Sequence, residues 1–276
     1  MKAGLGAAFL WVSGLVVLPL LYVALLSLQG KGVYGGVEWT WSLANYQKIF
    51  EGPSLSILGK TFLLAFSTAL VCSALGGLSA AFISRGSRQR RRLWMMLFLV
   101  PFFINSLIRL FSLQNFWGVE GPIQSAIRLF DPEFARTAWS HNSILMFVGM
   151  VLSYLPFAIL PLVAAFEKWD FSLTEAAWDL GAREWTSFWK IKWPLLRPAF
   201  VASFAVVLIP ALGEYLVPEI LEGAKNLYWG QYITEAFLKW RNWPLGSALG
   251  LLLIGSLLGV LFISTRVQTW LQRKQS

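Results

Sequence analysis

Six apolar runs, each long enough to cross a bilayer as a helix, constrain this chain more than any other feature. They lie at about 3–28, 58–84, 93–112, 143–166, 199–220 and 245–266. A hydrocarbon core of ~30 Å takes about 20 helical residues to span. None of the runs alternates apolar and polar residues as barrel strands do, and in lipid only helices and closed barrels satisfy their own backbone groups. An all-α polytopic membrane bundle of about six transmembrane helices, one domain over 1–276, is therefore expected. Charged residues make up 13% of the chain, about half the share usual in soluble domains. The first run is longer than the ~7–15 apolar residues of a signal peptide and reads as a retained span. Pro19, Pro101, Pro156, Pro161 and Pro210 fall inside runs and predict kinks, which membrane helices tolerate when neighbours satisfy the freed carbonyls.

Net charge is +9, and its placement explains it. Lys2, five arginines in 85–92, five basic residues in 167–198 and three beyond 265 all fall on one side of a six-span chain. Against these 14 stand five acids, Glu167, Asp170, Glu175, Asp179 and Glu184, while nine basic and nine acidic residues occupy the rest. The excess lies wholly on one side, so the positive-inside rule places both termini in the cytoplasm. Nucleic acid, the other partner a basic chain suggests, has no charge left to explain. Trp39, Trp41, Trp117, Trp139, Trp240 and Trp243 flank runs on the outer side, and Trp94 and Trp270 on the inner side, as indoles do at headgroup level. The outer segment 41–50 has Leu43, Tyr46, Ile49 and Phe50 near helical spacing, predicting a short helix on the outer surface.

The loop at 167–198 is long for a compact bundle, which points to a partner. Within it Ser172 or Thr174 can cap a short helix with acids in its first turns, and Gly181 can end it. Trp185, Phe188, Trp189 and Trp193 then recur at i, i+3, i+4 and i+8, one aromatic face for the inner membrane surface, with Lys190 and Lys192 for lipid phosphates.

The loop pattern Glu175-Ala176-Ala177, three residues, Gly181, nine residues, Ile191-Lys192-Trp193-Pro194 resembles the signature of permease subunits in bacterial ABC importers. Trp193 stands where that signature usually has Leu. The segment Val100-Pro101-Phe102-Phe103-Ile104-Asn105-Ser106-Leu107-Ile108-Arg109, with Gly223-Ala224-Lys225-Asn226-Leu227 and Arg241-Asn242-Trp243-Pro244, resembles the spermidine/putrescine branch. The similarity runs from Trp41-Ser42-Leu43-Ala44-Asn45-Tyr46 to the last helix. This resemblance implies the type I importer permease fold in a bacterial inner membrane. It also implies a second homologous permease, a dimer of ATP-binding subunits holding ATP and Mg, an extracytoplasmic substrate-binding protein and a polyamine substrate. Glu175, Ala176, Ala177, Asp179, Leu180, Gly181 and Ala182 would dock on the ATPase, and no cofactor is expected on this chain.

Ionisable groups at membrane depth cost ~2.5–3.5 kcal/mol each on insertion scales, which singles out Arg109, Glu214 and Glu219. A chain of ammonium groups needs carboxylates and aromatic faces to replace its hydration, and Tyr154, Glu214, Tyr215 and Glu219 supply both. Two readings are open: Glu214 contacts substrate, or Arg109 pairs with Glu214 or Glu219 as a structural bridge. Asn105 is expected to hydrogen-bond between helices. Gly246, Gly250, Gly255 and Gly259 form small-residue ridges in the last run. Gly59-Lys60-Thr61 lacks the rest of a phosphate-binding loop. The one cysteine, Cys72, and the one histidine, His141, make a metal site improbable. No local catalytic motif is present. Permeases for iron, thiamine or phosphonates share the architecture and are the nearest rival; a membrane-embedded enzyme or channel is the rival from another class.

Overall fold

The computed structural model describes residues 2–118, 120–130, 142–170 and 172–273, without the side chains of 2–10, 12, 224 and 267–273. Trp139 and His141 lie outside the described residues. In chain order the helices are α1 (Lys2–Ser27), α2 (Ala44–Glu51), α3 (Ser54–Ser84), α4 (Arg88–Leu99), α5 (Ser106–Trp117), α6 (Pro122–Arg128), α7 (Ser143–Glu167), α8 (Ser172–Asp179), α9 (Glu184–Ser187), α10 (Trp193–Leu212), α11 (Leu216–Leu221), α12 (Trp229–Leu238) and α13 (Trp243–Arg273). Short antiparallel strands β1 (Gly30–Lys31) and β2 (Val37–Glu38) follow α1, with Gly30 opposite Glu38. Among the described residues the regular structure is all helical apart from this strand pair.

Four helices are long and apolar enough to cross a bilayer: Ser54–Ser84, Ser143–Glu167, the continuous Glu184–Leu212 and Trp243–Arg266. Arg88–Phe103 and Ser106–Arg128 meet at a sharp bend and make a fifth, as a broken span or a re-entrant loop. The first run forms the 26-residue α1, whose described apolar part, Ser13–Ser27, is shorter than a crossing. Among the described residues the crossings number four or five, where six runs are legible in the sequence.

Two runs differ from expectation for identifiable reasons. The run at 93–112 breaks at Ile104 and Asn105, both extended, because the Asn105 side chain accepts from the Leu107 N–H at 2.9 Å and starts α5. Asn105 thus caps its own helix instead of bridging to another. The run at 199–220 stops at Leu212, and a helix expected to begin at 199 begins fifteen residues earlier, at Glu184. A π-helical turn, Phe188–Lys192, joins α9 to α10. There the Trp193 N–H bonds to the Phe188 carbonyl, and the next residue, Pro194, has no N–H to offer. The widened turn lets one helix run through Pro194, inside the segment 167–198 that reads as a loop in the sequence. Trp185, Phe188, Trp189 and Trp193 do stack on one another, with ring centroids 5.3–6.5 Å apart, but along the base of a crossing helix.

The chain divides into two compact units. The first comprises Met1–Thr61 and Leu227–Leu258. Its core joins Ile49 and Ile57 to Trp229, Ala236, Leu245 and Leu249. Here α2 forms as expected, yet its inward face is Asn45 and Ile49. The Asn45 amide donates to the Ser27 and Gln29 carbonyls at 3.0 and 2.8 Å, satisfying the frayed end of α1. Thr61 accepts from the Trp229 N–H at 2.8 Å, so the Gly59-Lys60-Thr61 segment is packing, with no phosphate loop. Arg241 adopts φ 48° between α12 and α13, and its carbonyl accepts from Gly36 at 2.7 Å, clasping the β1–β2 turn.

The second unit, Phe62–Asn226 with Gly259–Ser276, is built on α7 packed along α10. Ala80, Ile83, Ile159, Leu162 and Val163 form its buried core. Close approach comes from Gly76, where an added Cβ would sit 3.2–3.3 Å from Leu162 and Ala158, and from Gly77 against the Phe200 ring. Ser203 of α10 donates to the Ala158 carbonyl of α7 at 3.0 Å. The ridge expected on α13 is different: only Gly246 meets a neighbour, Phe237, while Gly250, Gly255 and Gly259 face open space.

Candidate functional site

Two sites in the second unit carry the residues singled out above. The first is α8. Its start is held by Asp170, whose carboxylate accepts from the Ser172 N–H at 2.9 Å. Hydrogen bonds from Ser172 hold that carboxyl below its ordinary range. Thr174, one of the two caps expected, instead lies inside the helix and is buried with Ala177. Glu175, Ala176, Trp178, Asp179 and Leu180 point outward, Leu180 being 89% exposed. The helix ends as the sequence implies. Ala182 N–H bonds to the Ala177 carbonyl and Gly181 N–H to the Trp178 carbonyl, at 2.9 and 2.8 Å, the paired bonds of a Schellman stop. Gly181 takes φ +79°, where any Cβ is strained, and nothing lies within 4 Å of where that Cβ would be. The helix therefore presents a mixed acidic and apolar face beside an unobstructed glycine.

The second site is the break between α10 and α11. Gly213 ends α10, and Glu214 reaches forward so that Oε1 accepts from the Leu216 and Val217 N–H groups at 2.8 and 3.3 Å. Its other oxygen, Oε2, accepts from the Tyr154 hydroxyl of α7 at 2.6 Å. The carboxylate thus caps a new helix and is anchored to an old one. Tyr154 is buried, while Tyr215 and Glu219 are exposed. Glu214 and Glu219 do not share one helical face, because Glu214 precedes the first turn of α11.

Arg109 forms no ion pair with either acid. Its guanidinium donates to the Pro101 carbonyl at 3.4 Å and to Ser153 Oγ at 3.3 Å, and lies 5.4 Å from the Phe102 ring centroid. Arg109 and Glu214 are consequently tied to neighbouring residues of α7, Ser153 and Tyr154, without touching.

Residues 73–276 match the profile of a family described as the inner membrane component of binding-protein-dependent transport systems. This chain belongs to that family. It is a permease subunit of the ABC importer type, a multi-pass inner-membrane transport component and not an enzyme. The spermidine/putrescine permease PotB of Haemophilus influenzae is 32% identical over 276 residues, 99% of this chain and 96% of the relative. PotB of Escherichia coli is 32% identical over 241 residues, 86% of each chain. The sulfate permease CysT of Escherichia coli is 26% identical, covering 98% of this chain and 93% of the relative. Among solved structures, a bacterial alginate ABC transporter in complex with a pentasaccharide-bound periplasmic protein aligns with TM-score 0.67 at 15% identity, over 95% of this chain and 91% of that one. The MetNI methionine transporter in an inward-facing form aligns with TM-score 0.53 at 15% identity, over 79% and 98%. These likenesses show the permease fold.

The permease also holds a carboxylate that the sequence reading passed over. Glu222, at the end of α11, is 1% exposed. It accepts from Ser143 Oγ at the start of α7 and from the Asn226 amide, the latter at 2.8 Å. Its signal was its position directly before Gly223-Ala224-Lys225-Asn226, a motif noted for its resemblance alone. Among the described residues no cluster of metal-ligating side chains forms, and Cys72 is buried and unpaired.

Proposed function

We propose that this permease forms part of the translocation pathway for polyamines in an ATP-driven importer and couples that pathway to a cytoplasmic ATPase. The observation that carries the cargo assignment is the Glu214 carboxylate, pre-positioned by three hydrogen bonds at a helix break in a membrane-depth segment. Dehydrating an ammonium group is costly unless an anion and polar or aromatic groups replace its water. Glu214, Tyr154 and Tyr215 offer that replacement for one amine, and Glu219 offers a second anion for the next. A pathway for an anion would gain nothing from such a pair. The resemblance to two polyamine permeases at 32% identity supports the same cargo.

In this reading both termini are cytoplasmic and α8 inserts into a groove of an ATP-binding subunit, with Gly181 at the closest approach. The remaining partners are a second homologous permease and an extracytoplasmic binding protein; the alginate transporter, solved in complex with a periplasmic protein, supports the latter. ATP-driven closure of the ATPase pair would push α8, and the continuous Glu184–Leu212 helix would carry the movement to Glu214. This is a two-state switch with one link. The test is ATP-driven uptake by the assembled importer in proteoliposomes, offered spermidine, putrescine and sulfate in turn. Polyamine uptake with no sulfate uptake is expected; sulfate uptake, or flux from this chain without an ATPase, would overturn the assignment.

A further inference from the structure

A cavity of about 500 Å³ opens between α3 and the base of the α9–α10 helix, within the range of small-molecule sites. Its inner walls are apolar: Ala74, Gly77 and Leu78 on one side, Trp193, Leu196 and Phe200 on the other. From Ala74 to Arg85 the wall of α3 runs about 16 Å at ~1.5 Å per residue, close to half of a ~30 Å hydrocarbon core. Its depth is therefore that of one leaflet. Three charged side chains line it, Arg85, Lys192 and Glu184, two positive and one negative. Trp169 lines it as well, and the buried Trp169 indole N–H has no acceptor among the described residues.

We propose that this cavity is a phospholipid site that selects phosphatidylethanolamine. An acyl chain would lie between Leu78 and Phe200, the phosphate at Arg85 and Lys192, and the headgroup ammonium at Glu184. The Trp169 N–H would donate to an ester carbonyl. The choice of lipid rests on charge complementarity. A glycerol headgroup leaves Glu184 facing a net anion, and a choline headgroup is cationic but has no N–H to donate to the carboxylate. Ethanolamine answers all three charges. The walls include Trp185 and Phe188, so the bound lipid touches the segment that leads from α8 into the membrane.

The test uses the assembled importer in phosphatidylcholine vesicles containing a trace of phospholipid with a photoreactive group on its acyl chain. Three probes differ only in headgroup: ethanolamine, glycerol and choline. Crosslinks from the ethanolamine probe should map to 74–85 and 193–200 and exceed those from the choline probe about tenfold. Ala81→Phe, which fills the cavity, should remove them while the complex stays assembled. Glu184→Gln, an exposed change, should shift labelling from the ethanolamine probe toward the glycerol probe severalfold. Equal labelling by all three probes, labelling untouched by Ala81→Phe, or a headgroup preference unmoved by Glu184→Gln would each overturn the proposal. So would a photocrosslink to the sister permease from a benzophenone-maleimide attached at Leu78→Cys, which would put protein in the groove. The readout is labelling, so it stands or falls independently of the cargo.

Discussion

The end of α8 and the break between α10 and α11 solve one problem by opposite means. Each must stop a helix and satisfy the carbonyls or N–H groups left over. At α8 the solution is local: six consecutive residues, Ala177 to Ala182, close two backbone bonds around a glycine at φ +79°. At the α10–α11 break the solution is distant. A carboxylate caps the second helix, and a tyrosine sixty residues earlier holds that carboxylate. A local stop keeps its shape on its own and can be offered to a partner. A stop assembled from two helices changes shape whenever those helices move, which suits a gate.

Substitutions can break this contrast, beginning with the largest effect. Gly181→Trp should abolish uptake, more than a hundredfold, while ATP hydrolysis and membrane abundance persist. Gly181→Asn keeps the left-handed backbone that Asn tolerates and still adds bulk; a tenfold loss is expected. Full uptake by the Asn variant would show that only the turn matters and that nothing docks closely there. Next is Glu214→Gln, which retains an acceptor for the α11 N–H groups and removes the charge. A hydrogen bond to a charged group is worth ~1.5–3 kcal/mol, so uptake should fall roughly 10- to 100-fold with abundance unchanged. Tyr154→Phe, losing one bond to the same carboxylate, should cost less, roughly three- to tenfold. If abundance falls in step with uptake in either variant, the break serves stability and not transport.

Smaller effects sharpen the comparison. Ser203→Ala removes one interhelical bond between α7 and α10, worth about 0.6 kcal/mol in membranes, and should lower the melting temperature by about 1–2 °C with normal uptake. The smallest concerns Asp170. Its folded-state carboxyl titrates below the ordinary value of about 3.9 because Ser172 bonds the ionised form. The cap is therefore complete above that pH and is lost as pH falls through the lower folded value. The Ser172 amide resonance should titrate with a midpoint below about 3.9 in the wild type and stay flat in Asp170→Asn.

The same contrast explains what could be read from the chain alone. Apolar runs, the Gly181 stop and the acid in the first turn of α8 depend on neighbours within a few residues, and these are legible. Asn105 was misjudged because a side chain that caps its own helix and one that bridges two helices look alike in sequence. Pairing with an acid is one of two readings the sequence leaves open around Arg109, and the guanidinium instead finds a carbonyl, a serine and a ring. Nothing short of the packing of α5 on α7 decides that choice. The glycines on α3 that permit close approach, Gly76 and Gly77, carry no four-residue spacing, whereas the spaced glycines of α13 mostly face outward.

The uninterrupted helix from Glu184 to Leu212 has a further consequence. It contains 29 residues, which at ~1.5 Å each make a rod of about 44 Å. One tip adjoins the Gly181 turn and the other the Glu214 break. A rotation of only about 5° about either tip sweeps the far one through about 4 Å over that length, more than a hydrogen bond can stretch. Under the proposed coupling, leverage of this kind would let a modest nudge at the Gly181 end unlatch Tyr154 from Glu214 without any helix unwinding.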